Sequence, residues 1–158
     1  MLDATLQKLQ PKLLPLALLF CRLTLGGMFA LSGFGKVMGE LRNGLGTFRG
    51  GYYAKLQPSF LPDFIATPYG YALPWGELIF GVLLLIGLFS RLSAAAVLLM
   101  LGSILTAQVV AFGPSAVDGQ GPPFNPNYVL LSVAFLLLVT GPGKLSVDGL
   151  ISKKKTAR

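Results

Sequence analysis

LLPLALLFCRLTLGGMFALSGF, residues 13–34, is long and apolar enough to cross a bilayer, and it carries one charge, Arg22. Crossing about 30 Å of hydrocarbon takes about 20 mostly apolar residues. A charge placed near the bilayer centre costs at least about 2.5–3.5 kcal/mol on insertion scales, so it needs a partner or a task. A second ionisable residue, Glu77, opens the apolar run 78–89. One cation and one anion on neighbouring apolar segments suggest each other as partners.

Three further runs follow the same logic. Residues 71–89 and 92–112 each have the length of a span, and 125–142 is a shorter apolar stretch around Tyr128–Thr140. The sequence therefore predicts a single all-α domain, residues 1–158: an integral membrane four-helix bundle with spans near 13–34, 71–89, 92–112 and 125–142. Composition agrees. The chain is 53% hydrophobic, 12% charged and has a mean hydropathy of +0.68, against roughly 25% charged residues in an ordinary soluble domain.

The connections differ in kind. Ser90-Arg91 makes a tight hairpin between the second and third runs. Between the first two runs lies a Gly-, Tyr- and Phe-rich stretch, Gly35–Thr67. Within it Leu41–Leu56 has the spaced apolar residues and basic charges of a helix lying in the interface, although Gly44, Gly46, Gly50 and Gly51 weaken it. The loop Gly113–Pro126 reads as irregular.

Net charge is +7, but the positive residues lie at the ends and loops beside apolar runs, which fits membrane orientation and gives no nucleic-acid face. Lys8, Lys12, Arg91, Lys144, Lys153, Lys154, Lys155 and Arg158 fall on one side; Lys36, Arg42, Arg49 and Lys55 fall on the other. Eight against four places both termini in the cytoplasm. Tyr52, Tyr53, Tyr69, Tyr71, Trp75 and Tyr128 then form an aromatic belt at the outer interface. A cleaved leader is the rival reading of the first run, with Ala30-Leu31-Ser32 as the cleavage site. Arg22 interrupts the apolar stretch, and the run is longer than a leader needs, so the reading here is a retained span.

The chain has no histidine and one cysteine, Cys21. That removes imidazole acid–base chemistry, histidine-ligated haem and a dithiol cycled within the chain, and no metal site is expected. Electrons, if they move here, ride on a bound molecule or a partner. Depths counted from Leu13 and from Phe89 put Arg22 and Glu77 about 5 Å apart along the bundle axis. Arg22, Gly26, Phe29, Gly33 and Lys36 share one helical face, as do Glu77, Gly81, Leu84, Leu88 and Arg91. Glycine one turn from each charge lets the backbones close up. The seam so formed is either a buried ion pair fixing register or a polar site for a quinone head group. A cleft reaching it would open beside Lys36, with Tyr69, Tyr71 and Trp75 at its mouth. Ser103, Thr106 and Gln108 read as helix glue.

Three blocks carry a resemblance: Arg22 through Gly33 to Lys36; Gly76-Glu77 through Gly81 and Gly87 to Arg91; and Gly141-Pro142-Gly143 through Ser146 to Asp148. Together they resemble the DoxX/DoxD family of small four-helix membrane proteins. The resemblance implies a bacterial or archaeal cytoplasmic-membrane subunit, family motif positions at Arg22, Gly33, Lys36, Glu77, Gly81, Gly87, Arg91, Gly141, Gly143, Ser146 and Asp148, and quinone-linked sulfur or thiol redox chemistry carried out with a protein partner. No covalently bound cofactor is expected. A purely structural subunit anchoring a larger membrane complex is the alternative. A transport role ranks last, because four helices enclose little lumen.

Overall fold

The computed structural model describes residues 2–114 and 125–156, with side chains for 9–114 and 125–152. The Gly113–Pro126 loop and the basic tail thus fall largely outside the described residues. Those described are all-helical, with no strand.

Four helices make the bundle: α1 (Leu2–Asn43), α3 (Asp63–Ile86), α4 (Ser90–Phe112) and α5 (Asn127–Thr140). α1 packs on α3, α3 on α4, α4 on α5, and α5 returns to α1, closing the ring. The core between them is apolar, built on Leu25, Phe29, Leu73, Leu84, Val97, Leu101 and Leu137. α1, α3 and α4 are each long and apolar enough to span a membrane; α5 is apolar but has only 14 residues, about 21 Å of helix.

Glycines set the helix ends and the closest crossing. α3 stops at Gly87, which takes the left-handed conformation (φ 73°, ψ 38°) while its N–H and that of Leu88 bond back to Leu83 and Leu84 carbonyls, the usual geometry of a glycine-terminated helix. Gly113 and Gly141 end α4 and α5 with positive φ as well. Along the α1–α3 crossing, a Cβ at Gly26 would lie 2.8 Å from the Leu85 backbone nitrogen, and one at Gly33 or Gly81 would collide with the backbone of Leu78 or Ala30. The two helices touch backbone to backbone, as small residues permit inside a membrane.

Two helices, α1 and α3, differ in extent from the spans read in the sequence. α1 has 42 residues and α3 has 24, so the first part of α1 runs past the end of α3. α3 begins at Asp63, well before Tyr71, because the proline at 62 starts the helix and Pro68 and Pro74 are accommodated within it. The stretch after α1 also differs. Gly44 and Gly46 (φ 97° and 94°) break the chain. A π-helical turn, Arg49–Tyr53, then runs directly into the single turn α2, Ala54–Leu56. This short helical strap is what the amphipathic pattern of Leu41–Leu56 foreshadows, shortened by its own glycines.

Candidate ligand site at the Lys36–Glu77 pair

Glu77 projects from the middle of α3 and is 2% exposed. Its partner is Lys36, whose Nζ lies 2.6 Å from Oε1 and 2.5 Å from Oε2. The Ser32 hydroxyl also donates to Oε2, at 2.9 Å. Lys36–Glu77 is the one salt bridge among the described residues. The Lys36 ammonium additionally stands 5.0 Å over the Phe48 ring.

The expected Arg22–Glu77 pair does not form. The glycine register gives the physical reason: Gly33 of α1 backs on Leu78, and Gly26 on Gly81 and Leu85. Arg22 therefore comes level with Gly87, whose missing side chain makes room for the guanidinium. From Glu77 to Gly87 is about 15 Å along the helix. Counting depth from Leu13 fails because α1 overshoots its neighbours at that end. Lys36, one turn beyond Gly33, is what reaches Glu77.

Arg22 is 1% exposed and donates through Nη2 to the Leu145 carbonyl at 2.6 Å. Its Nε and Nη1 have no hydrogen-bond partner among the described residues. Around it the residues after α5 form a clasp. Asp148 donates its backbone N–H to the Gly87 carbonyl (3.0 Å) and accepts with its carboxylate from the N–H groups of Phe89 (3.0 Å) and Ser90 (2.8 Å). It thereby caps α4 from outside the helix, where the dipole favours an anion. Burial opposes the Asp148 charge, but those backbone donors and the nearby Arg22 hold its pKa below the ordinary aspartate range. Ser146 starts α6 (Val147–Thr156), accepting from the Gly149 N–H at 3.0 Å and donating to the Gly143 carbonyl at 2.7 Å. Arg91 lies against Gly141, and Leu18 against Gly143. Thus Gly87, Arg91, Gly141, Gly143, Ser146 and Asp148 gather at one end of the bundle, with Arg22. Gly33, Lys36, Gly81 and Glu77 belong to the seam leading to the other.

At that other end the strap folds over the bundle. The buried Glu40 carboxylate accepts from the backbone N–H groups of Gly46 and Phe48, which fixes the strap's start. Arg49 donates to Thr67 at 2.8 Å, and Gly70 leaves room for the Tyr53 ring. Burial pushes the Tyr53 phenol above its ordinary pKa, against the opposing charge of Arg49. Beneath the strap is a cavity of about 260 Å³ walled by Phe48, Tyr53, Phe60, Tyr69 and Leu73 among others. A second, of about 300 Å³, lies between α1, α3, α4 and α5, with Ser32, Glu77, Gln108 and Asn127 in its wall. Both include Lys36, Tyr52 and Ile104.

Lys36 and Tyr69 are therefore where the sequence placed them, beside a cavity. Tyr71 and Trp75 line neither; Tyr71 instead lies under Arg49, 5.9 Å from its guanidinium carbon. Gln108 joins α4 to the start of α5, its Oε1 accepting from Asn125 (3.1 Å) and Asn127 (2.7 Å). It is glue as expected, and it also faces a cavity. Glu40, Asn125 and Asn127 had no sequence signal: each is a lone polar residue near a loop, and only the fold turns it inward. No group of three or more histidine, cysteine or acidic residues that could hold a metal occurs among the described residues.

A ring of apolar helices with charged groups inside defines a small multi-pass membrane protein. The family described as methylamine utilisation protein MauE matches residues 14–117, and the chain belongs to that family. This corrects the DoxX/DoxD resemblance: the match is to a different family, and there is none to DoxX. Arg22, Lys36 and Glu77 fall within the matched residues, whereas the Gly141–Asp148 block falls outside them. No curated protein and no solved structure matches the chain.

Proposed function

We propose that the protein is an accessory component of a membrane redox system, which holds a quinone-type carrier for a partner oxidoreductase and is not a complete enzyme alone. The carrying observation is the Lys36–Glu77–Ser32 cluster, an ionised hydrogen-bonded group inside an apolar bundle with cavities on both sides. Ionisable groups at such depth are costly and are kept chiefly for function. A quinone suits the walls: its ring oxygens accept hydrogen bonds, and its ring and tail are apolar. The family's description concerns methylamine utilisation. Releasing the nitrogen of methylamine as ammonia while its carbon becomes an aldehyde takes electrons from that carbon, so a redox partner fits that setting; a thiol-oxidising partner would draw on the same carrier.

Extraction in mild detergent, affinity capture of the intact chain and identification of what stays bound test this reading. An oxidoreductase in the captured complex supports it. A complex of wholly non-redox proteins would instead make the chain a structural anchor.

The orientation is part of the proposal. Four bundle helices return the chain to its starting side, and Arg22, level with Gly87, joins the more basic end near Arg91. Both termini then face the cytoplasm. Reporter fusions at Asn43 and Arg158 check it, with activity expected on opposite sides of the membrane.

A further inference from the structure

The two cavities differ in polarity and adjoin across Lys36, Tyr52 and Ile104. Under the strap the wall is almost wholly aromatic and aliphatic. Inside the bundle it carries a carboxylate, an ammonium, a hydroxyl and two carboxamides. Such polar groups are held inside an apolar bundle only when they are paired. Here they are: Glu77 takes Lys36 and Ser32, and Gln108 takes Asn125 and Asn127. Both lone pairs of the Gln108 oxygen are therefore occupied, which leaves its amide hydrogens as what that side chain can offer. Lys36 commits two short contacts to Glu77, and an ammonium has three hydrogens to give. The polar cavity is thus a place rich in donors, with one fixed carboxylate.

We infer that the two cavities form one site for an amphipathic molecule with a neutral, acceptor-bearing ring head. The head lies in the bundle against Lys36, Glu77, Gln108 and Asn127, and the apolar body lies beneath the strap against Phe48, Tyr53 and Phe60. The inference rests on the functional reading above and adds the pose and the residues that select the ligand. Charge narrows the class. A fatty-acid carboxylate would meet Glu77 as a like charge. A phospholipid's phosphate is anionic and would meet the same carboxylate, which lines this cavity. A neutral ring with oxygens on both edges meets donors on both sides, and its tail meets aromatic faces that favour apolar, ring-bearing molecules.

Equilibrium binding of decylubiquinone to the full chain in neutral-lipid nanodiscs tests the site, with decanol and decanoate as ring-free competitors. The wild type should bind decylubiquinone, and neither competitor should displace it at equal concentration. Asn127→Leu should weaken binding about tenfold, the equivalent of one good hydrogen bond. Leu130→Phe should weaken it by filling the polar cavity without removing any hydrogen bond. Trp75→Phe, outside both cavities, should leave it unchanged. Thermal unfolding of each variant, measured alongside, separates lost binding from lost fold. Competition by decanol as strong as by the quinone would reduce the cavities to a crevice for any lipid chain and overturn the inference. So would unaltered affinity in both Asn127→Leu and Leu130→Phe. If a redox partner is captured while decylubiquinone fails to bind, the ligand pose falls and the accessory role stands.

Discussion

Arg22 and Glu77 are equally hidden, yet the two ends of the bundle deal with their charges in opposite ways. At the clasp end, Arg22 spends one N–H on the Leu145 carbonyl, and Asp148 spends its carboxylate on the start of α4. The interactions there are with backbone, and they tie the segment after α5 to the turn between α3 and α4. At the strap end, Glu77 is bonded only to side chains, Lys36 and Ser32, and the pair borders open volume. Backbone-directed charges build a joint. Side-chain-directed charges beside a cavity can exchange partners with a ligand. On the proposed reading the first end is structural and the second holds the ligand.

The largest expected effect separates the ends directly. Lys36→Met strands Glu77 in the bundle and should cost about 3–5 kcal/mol, as breaking one side of a buried pair does. The double variant Lys36→Met with Glu77→Leu should recover much of that loss. Reversible unfolding in mixed micelles measures both. Equal losses in the single and double variants would mean that an unpaired Glu77 carries no penalty of its own, and the contrast between the ends would fail at its stronger side.

Next in size is the seam joining the two ends. Gly81→Leu places a side chain against the Ala30 backbone, which is not a flexible neighbour. Overpacking costs typically about 1–3 kcal/mol, and more where backbone must yield. The α1–α3 crossing should open enough to separate Lys36 from Glu77, so this variant should also lose ligand binding. Gly35→Leu makes the control, because a Cβ there meets nothing within 4 Å and Gly35 lines neither cavity; it should leave stability nearly unchanged.

Arg22→Met should cost less than Lys36→Met, about 1–2 kcal/mol. The loss is a charge-assisted hydrogen bond to Leu145, offset in part because two guanidinium nitrogens no longer have to be buried without partners. Ligand binding should be unaffected. A loss of binding would show that the clasp end reaches the site and would erase the division of labour.

The helical class and the presence of buried charge were legible from apolar run lengths and from Arg22 and Glu77 alone, because both follow from composition along one dimension. Register was not. Which residue of α1 meets Glu77 depends on where two helices cross, and the crossing is set jointly by Gly26, Gly33 and Gly81, which no single run reveals. The sequence placed Lys36 on the right face, one turn past Gly33, but paired Glu77 with Arg22 instead. Gln108 was visible as a polar residue in an apolar run, but its companions Asn125 and Asn127 stood at the start of the fourth predicted span with nothing to mark them as its partners. The family likeness misled for a related reason: blocks of glycine and charge record how helices pack, and different families can pack alike.

The smallest effect probes the clasp through pH. Asp148 has a pKa below its ordinary value of 3.8 in the folded chain. A carboxylate whose folded pKa is depressed adds stability above the unfolded value, and the contribution is lost as pH falls through the folded one. Wild-type stability should therefore decline below about pH 4, with Asp148 responsible for part of the slope. Asp148→Ala removes the acceptor from the Phe89 and Ser90 N–H groups and should cost about 1 kcal/mol at neutral pH, the usual size of a lost helix cap. Asp148→Asn keeps an acceptor oxygen, so it should cost less there and flatten the slope. If unfolding curves between pH 3 and 7 show the same slope for Asp148→Asn as for the wild type, the carboxylate is not what fastens α4, and the clasp must be held by Arg22 and the Gly87 carbonyl instead.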